Sequence, residues 1–444
     1  MSSHLLLLSF AIAFSSRFLE SFGAPSLINF LHFAAVPAAC AVALTTTKVS
    51  NRHQLKTCYA LLLGLFLFLV VEVASAFLNS AGLINIALDA LLLVEPFVLL
   101  LAIVSLPLSM RGVKRLRVWF EGSVFFHLFL IYVQKFPLNY CARAGDCDNV
   151  QGIFFHSGSG HVVGASVSAS FAVYYFAIAK ERPLWVRSLV LAAGFGNILT
   201  SDAKQVLLTF IVGFAMLALT KRDIGKTIGY LFCFLIFVLC FSWAIQNVEA
   251  LSAFSTWIRP ELYGPDGEAT KLKLSGIRIT LSHFHHPLNW LLGLGPGHTI
   301  DRLGGWMLRD YISLLSPLGA TRTTIGPETW QYVAASWLAE GSSMFAPFWG
   351  WAAIWGDLGI LGLVAYLFLA AVVWQRLCLD DVSRLLMLTV LVHGFIFTQM
   401  EEPSYMLSIA MIIGIRWHER RLSAERRYLL KSIEAQAMQQ PEQS

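Results

Sequence analysis

Twelve apolar runs dominate this chain and leave it few ways to fold. A hydrocarbon core of about 30 Å takes roughly 20 apolar residues per helical span. Lipid offers irregular backbone no hydrogen-bond partner, so runs of this kind must be helices. They lie at Ser3 to Ser16, Ala24 to Thr45, Thr57 to Leu78, Leu83 to Leu106, Val118 to Phe136 and Gly160 to Ala179. The second six are Leu184 to Leu199, Lys204 to Thr220, Thr227 to Ile245, Phe345 to Trp374, Leu385 to Gln399 and Ser404 to Ile415. Hydrophobic residues make up 57% of the 444, charged ones 13%, and mean hydropathy is +0.65, outside the range of soluble proteins. The expected fold class is all-α: a polytopic transmembrane helix bundle of about 12 spans with one large external loop between spans 9 and 10. On this reading residues 1–245 hold nine spans, 246–345 the loop, 346–415 three more spans and 416–444 a basic tail. The first run has no basic segment before it and no small-residue cleavage site before Arg17, so it reads as a retained helix.

Every second connection is basic: Lys48/Arg52/Lys56, Arg111/Lys114/Arg115/Arg117, Lys180/Arg182/Arg187, Lys221/Arg222/Lys226 and Arg376/Arg384. Those connections and both termini are expected on the cytoplasmic side, and the large loop outside. The net charge of +5 then reflects membrane orientation, with no nucleic acid needed to explain it.

Polar residues away from the basic turns gather at three places. The first is Asp148 to Gly152, followed by His156-Ser157-Gly158-Ser159-Gly160-His161. Its plain explanation is a Gly/Ser loop, since adjacent residues do not form a serine nucleophile with its base. Cys141 and Cys147 share the preceding connection, where an oxidising compartment would allow a disulfide. The second is Thr200 to Gln205, in which Asp202 and Lys204 either cap a helix as an ion pair or offer a cation to an anionic headgroup. The third is the loop, where Gly276-Ile277-Arg278 precedes an amphipathic stretch with His283, His285, His286 and Trp290, then the turn Gly293-Leu294-Gly295-Pro296-Gly297. No carboxylate stands at a ligand spacing from these histidines, so no metal is expected. The glycines read as a turn, because no strand precedes them and no Gly-Lys-Ser/Thr follows. Arg278 is the group suited to bidentate binding of a pyrophosphate. Glu72, Asp89 and Glu95 fall inside apolar runs, as bundle packing or as an ion path.

Together these features resemble the O-antigen ligase and polymerase superfamily of bacterial envelope glycosyltransferases. The resemblance runs from about Asp148 to Leu369. It is carried by Ser201-Asp202-Ala203-Lys204 opening a helix, by Gly276-Ile277-Arg278 and Leu292-Gly293-Leu294-Gly295-Pro296-Gly297 in the loop, and by Trp355-Gly356-Asp357-Leu358-Gly359-Ile360-Leu361-Gly362-Leu363 after it. It implies an inverting, metal-independent and cofactor-free transfer of glycan from an undecaprenyl-pyrophosphate carrier at the outer face of the bacterial cytoplasmic membrane. Arg278, Lys204 and Arg143 would then neutralise the departing pyrophosphate. His283, His285, His286 or Glu340 would accept the acceptor's proton, and Asp202, His161 and Trp290 would help bind substrate. Further partners would be other polysaccharide export or chain-length proteins. Ligases of the superfamily place a His-Asn element where this chain has Ser342 to Pro347, which favours a polymerase. A transporter or flippase of lipid-linked glycan also suits twelve helices, but no internal repeat is found here.

Overall fold

The computed structural model describes residues 2–48, 51–145, 147–155, 159–221, 224–248, 259–338 and 346–439. The fold is 79% helix, with no strand among the described residues. In chain order the α-helices are α1 (Ser2–Ser21), α2 (His32–Thr46), α3 (Arg52–Asn79), α4 (Leu83–Ser105), α5 (Met110–Lys135), α6 (Tyr140–Ala144), α7 (Gly160–Ile178), α8 (Leu184–Thr200), α9 (Lys204–Leu219) and α10 (Ile224–Asn247). They continue as α11 (Pro260–Tyr263), α12 (Glu268–Ser282), α13 (Pro287–Leu292), α14 (Leu308–Asp310), α15 (Ile312–Leu315), α16 (Ile325–Ala334), α17 (Gly350–Arg376), α18 (Asp381–His393) and α19 (Pro403–Gln439).

Each of the twelve apolar runs carries a helix. Among the described residues, seven are long and apolar enough to cross a membrane: α2 with the 3-10 turn before it, α3, α4, α5, α7, the Thr227–Asn247 part of α10, and α17. This is therefore a multi-pass membrane protein by the length and composition of its helices. Helices α8 and α9 are apolar but shorter. Several runs differ in extent from their sequence boundaries, α5 for one beginning at Met110, before Val118. Helix α18 stops at His393, because the chain unwinds at Gly394 and resumes only as a 3-10 turn at Gln399–Glu401. Helix α19 continues through the basic tail to Gln439, a stretch rich in Ala, Leu, Arg and Glu that favours helix.

Helix α4 lies at the centre, packed on α2, α3 and α19. Its apolar circumference suits burial on all sides. Glu95 is held there by His32, whose Nδ1 lies 2.9 Å from Oε1, so one of the three intramembrane acids has a packing role. At the end of the bundle near the basic turns, Arg416 Nη2 pairs with Asp380 at 2.6 Å. Cys141 and Cys147 form a disulfide, with Lys135 Nζ 3.1 Å and 3.2 Å from the two sulfurs.

Between α10 and α17 the described residues form short helices that dock on the bundle, α13 against α3 and α17, and α12 against α16 and α17. A close backbone approach joins the segment at Gly293, just after α13, to that at Gly359, inside α17. Both have φ near +70° with extended ψ (Gly293 φ 70, ψ −157; Gly359 φ 65, ψ −163), a region open essentially to glycine alone. A Cβ on Gly293 would overlap the Asp357 backbone, and one on Gly359 the Leu291 backbone. Gly359→Ala should cost about 3 kcal/mol in unfolding of the detergent-solubilised protein; an unchanged melting curve would contradict this packing. Reduction should also add two alkylatable thiols to the five free cysteines, counted by mass after maleimide labelling.

Candidate functional site

The break at Gly359 shapes the site. The carbonyls just before it accept hydrogen bonds from the glycine-rich turn: Leu294 N–H to Gly356 O at 2.9 Å and Gly295 N–H to Asp357 O at 3.0 Å. Ser75 of α3 donates to the same Asp357 carbonyl at 2.7 Å. The Asp357 side chain then gathers the rest of the turn, with Oδ2 accepting from Gly297 N–H at 2.6 Å and Oδ1 from Thr299 N–H at 2.9 Å and Thr299 Oγ1 at 2.6 Å. Helices α3 and α4 grip the other side. Asn79 donates to Gly293 O at 3.2 Å, and Asn85 to Pro296 O and Thr321 O, each at 2.9 Å. The glycines thus form the turn expected of them, and the segment they fold over is the Trp355 to Leu363 stretch.

This turn delivers Asp301 and Arg302 to the bundle. Oxygens of Asp301, Asp89 and Asp357 lie within 4.8 Å of one another, all buried. Glu72 adjoins Asp89, and Glu401 faces Asp301. Arg302 donates its backbone N–H to Glu401 at 2.6 Å and forms an ion pair with Glu402. Burial pushes the Asp301 and Glu401 carboxyls above their ordinary values. A single π-helical turn, Leu303–Met307, follows, a local irregularity of the kind that recurs at functional sites.

Two adjoining cavities open above this cluster. One, of about 210 Å³, is lined by Arg302, Trp306, Arg309, Trp330, Ser159 and Gln399 among others. The second, of about 220 Å³, shares Arg309 and Trp330 and adds Arg322, His298 and Thr299. Three arginines line them and, among the described residues, no carboxylate does. Arg302 stacks over Trp306 at 5.1 Å and Arg309 over Trp330 at 4.4 Å, and Trp330 is fixed by its Nε1–H to Gly305 O at 2.7 Å. His298 donates Nδ1–H to Leu294 O at 2.9 Å, because a carbonyl can only accept. Nε2 is then the acceptor, 2.8 Å from Thr321 Oγ1. Burial lowers the His298 pKa, which keeps the ring neutral. A third cavity, about 360 Å³ and almost wholly apolar, lies among α4, α17, α18 and α19.

The residues singled out from sequence are dispersed around this centre. Arg278 is exposed and stacks on Tyr332 at 5.4 Å. His283 bonds Ile279 O and Thr324 Oγ1, at 2.9 Å and 3.2 Å. His285 is exposed, and His286 caps α13 by accepting from Leu288 N–H. Trp290 packs on Phe284 and Trp355. Asp202 and Lys204 pair with each other at 2.6 Å, and Arg143 is exposed. His161 lies 3.6 Å from Asp148, and its neighbours Ser159 and Val162 reach the first cavity. Glu340, His156, Ser157 and Gly158 lie outside the described residues. None of the described candidates lines the arginine cavities; His298, Asp301, Arg302, Arg309 and Arg322 carry no motif of their own, and only their position just after the glycine turn was a signal.

Lys273 of α12 ties the loop to the bundle, donating to Ala346 O at 2.8 Å, Phe348 O at 3.4 Å and Ile396 O. Removal from water draws its ammonium down to about 7. The unfolded chain, at the ordinary lysine value, holds its proton longer, so stability should rise with pH from about 7 upward, by up to about 1.4 kcal/mol per pH unit. Lys273→Met should flatten that rise between pH 7 and 9, read from unfolding at each pH; an equal slope in both proteins would show an ordinary lysine.

No family model matches the chain, and no curated protein is similar enough to it to count as a relative.

Proposed function

We propose that the protein is a twelve-span membrane enzyme that polymerises or transfers undecaprenyl-pyrophosphate-linked glycan at the outer face of the bacterial cytoplasmic membrane. The observation that carries this reading is the paired cavity with Arg302, Arg309 and Arg322 on its walls, Trp306 and Trp330 beside them and no carboxylate among its described lining. Guanidinium groups match the oxygens of a pyrophosphate, and indole faces suit the CH faces of sugars. The apolar cavity beside α17 offers a surface to a polyprenyl chain.

The transfer needs no covalent enzyme intermediate. The acceptor hydroxyl oxygen bonds to the anomeric carbon while the bond from that carbon to the pyrophosphate oxygen breaks. The electron pair leaves with undecaprenyl pyrophosphate, where the arginines offset the developing charge. The hydroxyl proton passes to a base. His298, neutral and at the cavity wall, is the imidazole best situated among those described, ahead of His283, His285 and His286. Twelve crossings follow from the alternation of basic connections. A lipid-linked glycan transporter is the second reading, favoured by the buried Glu72 and Asp89, and ligase-type transfer to another acceptor uses the same chemistry.

The test is glycan chain length in a bacterial host lacking the gene, complemented with wild type, Arg309→Ala, Arg322→Ala or Arg278→Ala, with membrane levels checked by immunoblot. Wild type should restore long chains. Arg309→Ala and Arg322→Ala should each cut polymer roughly tenfold to a hundredfold, and Arg278→Ala, off the cavity, much less. Full-length polymer with both cavity variants would remove the cavity from the reaction, and lipid-linked repeats accumulating on the cytoplasmic side would favour transport.

A further inference from the structure

The group least explained by glycan transfer is the carboxylate cluster beneath the cavity. Glu72, Asp89, Asp301, Asp357, Glu401 and Glu402 are all buried there, and the cation among them is Arg302, paired with Glu402. Burying ionised carboxylates without compensation is prohibitive. Asp357 is well supplied with N–H and O–H donors, and Asp301 Oδ1 accepts from Gly304 N–H. Glu401 Oε2 accepts from Arg302 N–H and Glu402 pairs with the Arg302 guanidinium, but other oxygens of the cluster are not supplied. Asp89 Oδ2, Asp301 Oδ2 and both oxygens of Glu72 are buried without a hydrogen-bond partner at bonding geometry, and the Glu72 carboxyl adjoins that of Asp89. Helix α3 thus aims a fourth carboxylate at a triad whose oxygens already lie within 4.8 Å of one another.

We propose that Asp89, Asp301 and Asp357 bind a divalent metal cation, with Glu72 completing the site. All-oxygen ligands select a hard ion of the magnesium, calcium or manganese type and offer zinc neither nitrogen nor sulfur. Oxygens around magnesium or calcium, at metal–oxygen distances of about 2.1 to 2.5 Å, stand about 3 Å apart when adjacent and about 4 to 5 Å apart when opposed, a range that admits a triad whose oxygens all lie within 4.8 Å of one another. The three ligands come from α4, from the segment after the glycine turn and from α17. The ion is therefore a clamp that holds the turn, and with it Arg302, against the bundle. It takes no part in the transfer step, and the proposal stands whether or not glycan is the substrate.

The experiment uses the full chain in detergent, stripped with EDTA and exchanged into chelator-free buffer. Thermal unfolding is followed by tryptophan fluorescence during titration with CaCl2, MgCl2 or MnCl2, and bound Mn2+ is counted by electron paramagnetic resonance. At least one of the three ions should raise the melting temperature saturably, with one tightly bound Mn2+ per chain. Asp89→Asn and Asp301→Asn should make the stripped protein melt higher, since like charges are removed, and should lose the ion-dependent shift. Glu72→Gln keeps the three ligands and should weaken the midpoint severalfold, which serves if either Asn variant does not accumulate. Asp266→Asn, on the exposed loop, should bind as wild type. Absence of both a saturable shift and bound Mn2+ in the wild type would overturn the proposal and leave the cluster neutralised by protons. Unaltered binding in the Asp89, Asp301 and Glu72 variants would overturn it as well.

Discussion

The Asp357 carboxylate, turned toward a glycine-rich loop where α17 breaks, is the interaction on which the rest of the site depends. It accepts three hydrogen bonds from Gly297 and Thr299, while its own carbonyl accepts from Gly295 and Ser75. One residue therefore joins a transmembrane helix, its neighbour α3 and the loop. A buried acid supplied with this many donors is well satisfied at its own oxygens. The arrangement needs two backbones nearly in contact, which is why Gly293 lies against Asp357 and Leu358, and Gly359 against Leu291 and Leu292, each glycine in a conformation closed to other residues.

From that anchor the chain leads directly to the chemistry. Asp301 and Arg302 follow the turn and meet acids of α4, α17 and the Gln399–Glu401 turn. Arg309, Arg322, Trp306 and Trp330 then form the walls of the cavities above. Opposite charges are layered: carboxylates below, guanidinium groups on the walls, Arg302 between them. Such layering lets a site attract an anion without collapsing onto its own acids, provided the acids are neutralised from within.

The helices were legible in the sequence because lipid imposes one rule on every apolar run, and each of the twelve carries a helix. The disulfide was legible as a pairing open to Cys141 and Cys147, six residues apart. The glycine turn was legible because its residues suit left-handed backbone. The site was less so. Arg278 and His283, His285 and His286 attract attention as a local cluster, yet α12 and α13 direct them to the surface or to neighbouring backbone. Asp202 and Lys204 satisfy each other. In sequence Asp357 stands within a glycine motif and Asp89 within an apolar run, and neither setting points to the other.

What the sequence alone determined is the class of object: a multi-pass helical membrane protein, with its polar chemistry concentrated between and beside the spans. Hydropathy and charge bias decide this residue by residue, and each run answers to the solvent around it. Which polar groups meet was decided only by tertiary structure. Asp89, Asp301 and Asp357 are separated by some 210 and then 56 positions, and a carboxylate's local neighbours carry no trace of partners that distant. They converge because a helix break and a turn built on glycine allow two backbones to pack closer than any side chain would permit.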